Sequence, residues 1–304
     1  MNPELGEVWS WLRPLPPLAD LAEISKGIDY KGQDALAGKV SRSDHRFEGA
    51  VRGFTRAHRS LQIHQQPPLS WMSLDPDVIQ STRAGATTGV PQVLVNAAPV
   101  SRGPWRLKAL IDPEGRPFTS RFLTVRPRSG EVSPWFLWAL CNSPMANAFV
   151  HTHDIRDVKL GTLRRMPVPR VTGGQADRIE DAARAYFREM EGPSQDLLAG
   201  LIDEETAKRL LLQIDAEVLR LYGLPPRLER QLLDLFEGEP REGVPFRFDA
   251  YFPSDFEPLF SLHVYLSGEY RRSTADQLAA RHRDVTSPAL LTAFRSAVEA
   301  FETE

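Results

Sequence analysis

The sequence predicts a mixed α/β (α+β) chain: a domain built on a small twisted sheet, a helical spacer or hairpin after it, and a small C-terminal α+β segment. Three observations support this fold class. Short apolar segments before residue 165 alternate with a period near two, which indicates half-buried strands. Turn signals separate these segments. After Gly173-Gly174 the chain changes to longer segments with helical periodicity.

The strand pattern is clearest in three segments: QVLVNAAPV from residue 92, WRLKALID from residue 105 and RFLTVRP from residue 121. The turn signals AGATTG, SRGP and DPEGRP lie beside them. Because DPEGRP is flanked by two strand-like segments, the sequence predicts a hairpin there. MPVP at 166–169 is expected to form an extended closing strand or a rigid exit from the domain.

A first helix is predicted over SPWFLWALCNSPMANAFVHTH, with Ser133 as N-cap and Pro134 at the first helical position. In the helical region, LIDEETAKRLLLQIDAEVLRLYGL has apolar residues at spacings of four and three, which form one face: Leu210, Ile214, Val218 and Leu221. Gly223 lies where a glycine ends a helix. QADRIEDAARAYFREMEG before this helix and PRLERQLLDLFEG after it are also expected to be helical.

These patterns divide the chain into a proline-rich lead-in at 1–19, a mixed region at 20–171, a helical region at 172–243 and a C-terminal segment at 244–304. Within the last segment SLHVYLS resembles a strand, and a final helical stretch is expected from about Pro288. The sequence predicts no role for this segment.

Charge is distributed unevenly along the chain, although the net charge is only −3. Residues 1–171 hold 22 lysines and arginines against 15 acids, whereas residues 172–304 hold 15 against 25. The surplus is sharpest from Lys39 to Arg128, with 14 cations and 6 anions. A positive half joined to a negative half favours a polyanionic partner for the first half and a different role for the second.

Composition excludes several classes of protein. The hydrophobic fraction of 41% and the charged fraction of 25% are ordinary for a soluble globular chain. No apolar run approaches the ~18 residues of a membrane span, and the N-terminus lacks the pattern of a secretory signal. A single cysteine, Cys141, leaves no internal disulfide and no cysteine-based zinc site. We therefore expect a cytoplasmic protein with no membrane partner.

Sequence signatures of catalysis are scarce. The chain contains neither GxGxxG nor GxxxxGK[ST], and neither HExxH nor GxSxG. His151, His153 and Asp154 form the group with the best ligand chemistry, so a nuclease or hydrolase using this cluster is an alternative. Acid–lysine fragments of the nuclease type occur at Asp112 with Glu114 and at 157–159, but neither is complete. The sequence predicts no catalytic residue, no metal site and no cofactor.

Several motifs recur in an order that resembles a known family: LAEISKGIDYKG, SRFLTVRP, FLWALCNSPMANAF, LRRMPVP and IDAEVLRLYGL. Together they resemble the target-recognition region of bacterial N6-adenine DNA methyltransferases of restriction–modification systems, including fused restriction–methylation enzymes. The resemblance covers about residues 20–245. It is carried by Gly27, Tyr30, Asn142, Ser143, Pro144, Pro167, Pro169, Asp215, Leu221, Tyr222, Gly223 and Leu224.

The resemblance implies sequence-specific binding of double-stranded DNA by a target-recognition domain at 20–171, in a restriction–modification or related phage-defence methyltransferase system. Active members also carry an Asn-Pro-Pro-aromatic tetrapeptide and a glycine-rich cofactor motif, and this chain has neither. The chain is therefore expected to be non-catalytic by itself. It would act with an N6-adenine methyltransferase subunit or domain that docks through the helical region at 172–243.

DNA recognition needs phosphate contacts for affinity and base-edge contacts for specificity. Cations at or near the start of the mixed region are expected to contact phosphate: Lys26, Lys31, Arg42, Arg46, Arg52, Arg56 and Arg59. Residues beside turn signals on the strands are expected to read bases, since an arginine fork matches guanine and amides match adenine: Arg83, Arg102, Arg106, Arg116, Arg121, Ser120, Gln92 and Asn96.

The loop SKGIDYKG has two interpretations. Gly27 and Gly32 would let the backbone approach a duplex while Lys26 and Lys31 hold phosphate and Tyr30 stacks or donates to it. Alternatively, Tyr30 is a core tyrosine and the glycines only form turns. A further alternative for the whole chain is a protein-interaction scaffold whose basic face meets an acidic protein.

Overall fold

The computed structural model describes residues 5–36, 38–98, 101, 103–128, 130, 132–154, 157–191, 203–248, 250–252 and 260–268. The fold is mixed α/β, as predicted, with small antiparallel sheets. The described helices are α1 (Gly6–Leu12), α2 (Leu18–Leu21), α3 (Pro134–Asn142), α4 (Pro144–His153), α5 (Leu160–Arg165), α6 (Gly173–Glu191), α7 (Glu204–Tyr222), α8 (Pro226–Asp234) and α9 (Leu262–Ser267). The strands are β1 (Ala22–Lys26), β2 (Asp29–Tyr30), β3 (Arg42–Ser43), β4 (Ala50–Gly53), β5 (Ser70–Ser73), β6 (Ile79–Ser81), β7 (Gln92–Asn96), β8 (Ala109–Asp112) and β9 (Phe122–Pro127).

The largest sheet is antiparallel with the strand order β1-β9-β7-β8. Strands β7 and β9 lie inside this sheet and β8 lies at its edge. These three strands fall within the three segments that the sequence predicted to be strands. The hairpin predicted at DPEGRP is wrong, because β8 and β9 both pair with β7 and lie on opposite sides of it. The turn after β8 is closed instead by Asp112, whose carboxylate accepts from the Arg116 amide at 2.6 Å.

Two smaller sheets complete the mixed region. β2 pairs with β6, and β5 lies between β3 and β4. Met72 of β5 is fully buried in a small apolar cluster with Ile28, Leu36 and Val78. This cluster attaches the three-stranded sheet to the chain that follows β1.

The chain from 133 to 153 forms two helices rather than the single helix expected. Pro144 cannot continue α3, and Ser143 takes an extended conformation with ψ of 159°. The Ser143 hydroxyl then caps α4 by accepting from the Ala146 amide. Ser133 caps α3 as predicted, accepting from the Phe136 amide.

Two asparagines beside the break between α3 and α4 bond the backbone at the start of β8 and just before it. The Asn142 side chain accepts from the Ala109 amide at 2.9 Å and donates to the Ala109 carbonyl at 3.1 Å. Asn147 accepts from the Leu107 amide at 2.7 Å. The Asn-Ser-Pro segment therefore satisfies backbone groups at the edge of the sheet.

The helical region forms as predicted, with α6 and α7 packed against each other and against α3. Gly223 adopts the left-handed conformation at φ 55°, which a residue with a Cβ disfavours, and ends α7. The centre of the predicted apolar face of α7 is buried within the protein, with Ile214 and Val218 at most 1% exposed. Leu210 and Leu221, at the two ends of this face, are partly buried and pack against the same core. Most of the apolar face is thus covered internally.

A buried ion pair links α7 to the segment after α8. Arg241 donates to both carboxylate oxygens of Asp215, and Tyr251 donates to the same carboxylate at 2.8 Å. The second guanidinium nitrogen also donates to the Asn142 carbonyl at 3.1 Å. The guanidinium carbon lies 4.3 Å from the centre of the Trp105 ring. Burial disfavours the charged guanidinium, yet Asp215 and Tyr251 hold the pKa of Arg241 above its usual value.

The first described residues and the helix at 262–267 adjoin the main apolar core. Residues 5–12 pack into it through Leu5, Val8 and Leu12, so this part of the proline-rich lead-in is structured. The MPVP segment meets the lead-in through one isolated antiparallel bridge, in which Pro167 pairs with Pro17. SLHVYLS is not a strand: its residues 262–267 form α9. The helix expected from Pro288 lies outside the described residues.

Glu229 on α8 bonds the start of α9. Its carboxylate, fully buried, accepts from the first amide of α9, that of Leu262, at 2.5 Å. The Glu229 oxygen thus satisfies one of the amides that a helix leaves free at its N-terminus. Burial raises the pKa of Glu229 to about 7, although the hydrogen bond from Leu262 opposes the shift.

The raised pKa of Glu229 predicts a pH-dependent stability. The folded chain keeps the carboxyl proton up to about pH 7, whereas the unfolded chain loses it near its ordinary pKa of 4.5. The protonated Glu229 carboxyl therefore stabilises the fold fully below pH 4.5. This stabilisation, on the order of 3 kcal/mol, is lost as the pH rises to 7. Glu229→Gln keeps an oxygen acceptor without the charge. We expect it to raise the free energy of unfolding above pH 7 by about 1–3 kcal/mol.

Chemical denaturation at pH 5 and pH 8 measures this difference. Glu237→Gln is the matched control, because Glu237 is exposed three residues beyond α8. It is expected to leave the pH dependence as in the wild type. Identical pH profiles for the wild type and Glu229→Gln would contradict the assignment.

Candidate nucleic-acid interface

A polar cleft of about 600 Å³ lies between the chain after β1 and the loop before β9. Two separate stretches line it, within residues 28–42 and at 119–121. Five of the residues predicted to contact DNA face this cleft: Tyr30, Lys31, Arg42, Ser120 and Arg121. The fold thus brings together side chains that are up to 91 positions apart in the sequence.

Close backbone packing at Gly27 builds one wall of the cleft. A Cβ on Gly27 would lie 2.3 Å from the Thr119 carbonyl oxygen, so only glycine fits there. The Ile28 amide donates to the Phe118 carbonyl at 2.9 Å, and the Ser120 amide donates to the Ile28 carbonyl at 2.8 Å. The close approach that Gly27 permits is therefore to the chain itself, which corrects the expectation of an approach to the duplex.

Cations dominate the cleft. Arg42 and Arg121 are exposed, and neither side chain makes an ion pair or hydrogen bond with another residue in the described part of the chain. Lys31 donates to the Asp77 carbonyl at 2.7 Å. Lys39, which sequence reasoning did not single out for DNA contact, pairs with Asp77 at 2.6 Å and Asp75 at 3.2 Å. These hydrogen bonds raise the pKa of Lys39.

Asp29 is the acidic residue that lines the cleft, and Arg83 offsets its charge. The Arg83 guanidinium lies 3.4 Å from the Asp29 carboxylate. Arg83 also has a φ of 44°, the positive value that is rare for a residue with a side chain. The predicted residue Arg83 is thus held at the border of the cleft by its pairing with Asp29.

Tyr30 combines the two interpretations of its loop. Its ring lines the cleft, but its hydroxyl donates to the Ser73 carbonyl at 2.8 Å and so joins β2 to β5. Burial raises the pKa of Tyr30 to about 12, with a smaller opposing effect of Arg42. The hydroxyl therefore stays protonated at neutral pH and serves the protein's own structure.

The remaining predicted residues lie elsewhere. Lys26 is half-buried on β1, opposite Leu123. Arg46 contacts the Trp71 ring. Arg102 lies outside the described residues.

Arg106 and Arg116 are engaged within the protein. Arg106 donates to His151 at 3.3 Å. Arg116 is held by Asp112, Glu114 and Gln66. The guanidinium groups of these two arginines therefore do not line the cleft formed by residues 28–42 and 119–121.

Gln92 and Asn96, which the sequence assigned to base reading, are fully buried. Gln92 accepts from Arg126 at 2.8 Å and donates to Asp112 at 2.9 Å. Asn96 accepts from the Lys108 amide at 2.7 Å. The assignment of these two amides to adenine is wrong, because they satisfy polar groups inside the sheet.

The side chains of His151, His153 and Asp154 diverge. Asp154 is buried and accepts from the Lys159 amide and the Thr162 hydroxyl near the start of α5. His153 stacks on Phe149 with ring centres 4.1 Å apart. Across the residues that the structure describes, no group of three His, Cys, Asp or Glu side chains is placed to hold a metal ion.

A larger cavity of about 910 Å³ lies at the junction of α3, α6 and β8. It is mainly apolar, with Trp135, Phe187 and Met190 in its wall, and Arg184 stacks 4.6 Å from the Trp135 ring centre. None of the residues predicted to contact DNA lines this cavity, although Gln66, which accepts a hydrogen bond from Arg116, does. The two cavities are therefore chemically distinct.

Among the described helices, none combines the length and apolarity that crossing a membrane requires. No family model matches the chain, and no curated protein matches it. Among solved structures, the chain is similar to a Type IIL restriction-modification enzyme, MmeI, in complex with DNA, at 18% sequence identity and a TM-score of 0.33. The match covers 48% of this chain and 20% of that one, so the chain spans about a fifth of the length of the structure it matches.

Proposed function

We propose that the mixed region binds double-stranded DNA through the cleft formed by residues 28–42 and 119–121. The proposal rests on one observation above all: two exposed arginines without partners in the described chain, Arg42 and Arg121, face the same polar cleft. Phosphate oxygens are the natural ligands of such guanidinium groups. Ser120 and Lys31, whose ammonium group also donates to the Asp77 carbonyl, line the cleft beside them, whereas the charge of Lys39 is offset by Asp75 and Asp77.

The charge pattern of the chain agrees with a duplex partner. Cations exceed anions by 14 to 6 between Lys39 and Arg128, whereas residues 172–304 are acidic. DNA would therefore approach the mixed region and be repelled from α6 and α7. A protein scaffold with an acidic partner would need the same positive surface, and the binding experiment below separates the two.

The finer role follows the sequence resemblance. We propose that the chain is the target-recognition part of a restriction–modification or related phage-defence methyltransferase system, non-catalytic by itself. An N6-adenine methyltransferase subunit or domain would supply the missing tetrapeptide and cofactor motif. Because the centre of the apolar face of α7 is covered internally, docking through 172–243 would use mainly polar and charged contacts.

Removal of the two cleft arginines is the direct test. We expect Arg42→Ala/Arg121→Ala to weaken binding to a duplex of mixed sequence at least tenfold at low salt, since two phosphate contacts are lost. The slope of log K against log salt is expected to become shallower by about 2. Fluorescence anisotropy of a labelled duplex across a salt series measures both quantities.

The matched control is Arg188→Ala/Arg220→Ala, which removes the same charge from exposed positions on α6 and α7. It is expected to leave affinity and slope close to wild type. If the wild-type chain binds no duplex even at low salt, the DNA proposal fails and the scaffold alternative gains support. Equal losses in the two double variants would show that only net charge matters.

A further inference from the structure

The outer face of the three-stranded sheet carries a second cationic site, apart from the cleft. On β5, Met72 points into the protein, so its neighbour Trp71 points to the opposite face. In the strand register Arg52 of β4 and Ser43 of β3 lie directly beside Trp71. Arg42 pairs with Met72 and faces the cleft. The cleft and the Trp71 face are therefore on opposite sides of this sheet.

Trp71 has an unusual set of neighbours. It belongs to none of the described apolar clusters, although it is a large ring on a central strand. The guanidinium carbons of Arg52 and Arg46 lie 5.2 Å and 5.5 Å from its ring centre. Both distances are within the range of cation–π attraction. Neither arginine pairs with an acidic residue in the part of the chain that the structure describes.

Two unneutralised guanidinium groups on one half-buried tryptophan suit a ligand that offers both negative charge and a flat ring. Duplex phosphates would use the arginines but would leave the tryptophan without a role. An unpaired nucleotide uses both, because its base stacks on an aromatic ring while its phosphates pair with flanking cations. An open antiparallel sheet is a surface on which unpaired bases are commonly stacked.

We propose that the face formed by Arg46, Arg52 and Trp71 binds single-stranded DNA. In the free protein the guanidinium groups of Arg46 and Arg52 lie over the Trp71 ring. On binding, these groups move to the adjacent phosphates and leave the ring to stack on one unpaired base. This role goes beyond the duplex binding assigned to the cleft and uses a separate side of the sheet.

The test compares a labelled twelve-residue oligothymidine with an abasic strand of equal length, using the full chain and anisotropy at low salt. Loss of one stacked base typically costs between about fivefold and a hundredfold in affinity. We expect Trp71→Ala to weaken oligothymidine binding about tenfold and abasic-strand binding much less, and Trp71→Phe to restore most of the affinity. Arg46→Ala/Arg52→Ala should weaken both strands.

Unchanged oligothymidine binding by Trp71→Ala, or equal wild-type affinity for the two strands, would overturn this proposal. Thermal melts of the variants establish that they fold, and Trp71→Phe keeps a ring at the site in any case. The same variants are measured on the duplex. Loss of duplex binding in Arg42→Ala/Arg121→Ala with oligothymidine binding retained separates the two sites, and failure of one proposal leaves the other testable.

Discussion

Asp215→Asn is expected to lower the free energy of unfolding by about 3–5 kcal/mol, because it leaves the Arg241 guanidinium buried without a counter-charge. Asp215 is 0% exposed and Arg241 is 4% exposed, so water cannot replace the lost partner. The amide also offers one acceptor oxygen where the carboxylate offers two, so Arg241 and the Tyr251 hydroxyl, now 2.8 Å from the carboxylate, would compete for it. Urea denaturation followed by circular dichroism measures the loss.

Two further variants make this test specific. Glu217→Gln on the same helix removes a carboxylate whose partner Arg178 is about half exposed, and it is expected to cost less than about 1 kcal/mol. Asp215→Leu/Arg241→Met replaces both buried charges by apolar groups and is expected to be more stable than either single variant. A cost of Asp215→Asn no greater than that of Glu217→Gln would show that the pair does not hold α7 to the segment after α8.

Gly27→Ala is expected to destabilise the chain by about 3 kcal/mol and to weaken duplex binding at the same time. The new Cβ would lie 2.3 Å from the carbonyl oxygen and 2.4 Å from the carbonyl carbon of Thr119, and backbone atoms cannot rotate away. The chain must therefore separate there, which displaces Ser120 and Arg121 at the wall of the cleft. Thermal melts and duplex anisotropy measure the two effects.

Gly32→Ala is the matched control, since it lies in the same loop and nothing lies within 4 Å of the position that its Cβ would take. It is expected to change stability by less than about 1 kcal/mol and to leave duplex affinity unchanged. If Gly27→Ala behaves like Gly32→Ala, the contact between Gly27 and Thr119 does not shape the cleft.

Local patterns predicted the elements well where the deciding forces are local. β7, β9 and α7 follow from apolar periodicity, and the ends of α3 and α7 follow from Ser133 and Gly223, whose capping depends on a few neighbouring residues. Pro144 also marks a boundary in the sequence, but the apolar run on both sides of it suggested a continuous helix.

The failures share a physical cause, namely contacts between distant parts of the chain. SLHVYLS alternates like a strand, yet the Glu229 carboxylate, 33 residues before Leu262, caps it as a helix. The order of β8 and β9 around β7 depends on the whole sheet, not on the turn that joins them. Gln92 and Asn96 are buried and bond groups inside the sheet, and no local sequence pattern distinguishes them from exposed amides.

The residues of the candidate cleft could be predicted only in part, because the sequence shows where cations are dense but does not show which of them pair with acidic residues. The cation surplus contains Arg42 and Arg121, which stand without partners in the described chain, and also Arg116, which is committed to Asp112 and Glu114. Trp71 was not singled out at all. Trp71 could be recognised only from the strand register, which places this aromatic residue of β5 directly opposite Arg52 of β4.

Side chains cover both outer strands of the four-stranded sheet, and this bears on how the protein behaves when concentrated. Asn142 occupies both backbone groups of Ala109 at the start of β8, Asn147 accepts from the Leu107 amide just before it, and Arg164 donates to the Ile24 carbonyl of β1 at 2.6 Å and 3.1 Å. A second molecule would have to displace these contacts before its own strand could add to the sheet. The molecule thereby blocks edge-to-edge aggregation at the positions where its sheet would otherwise invite it.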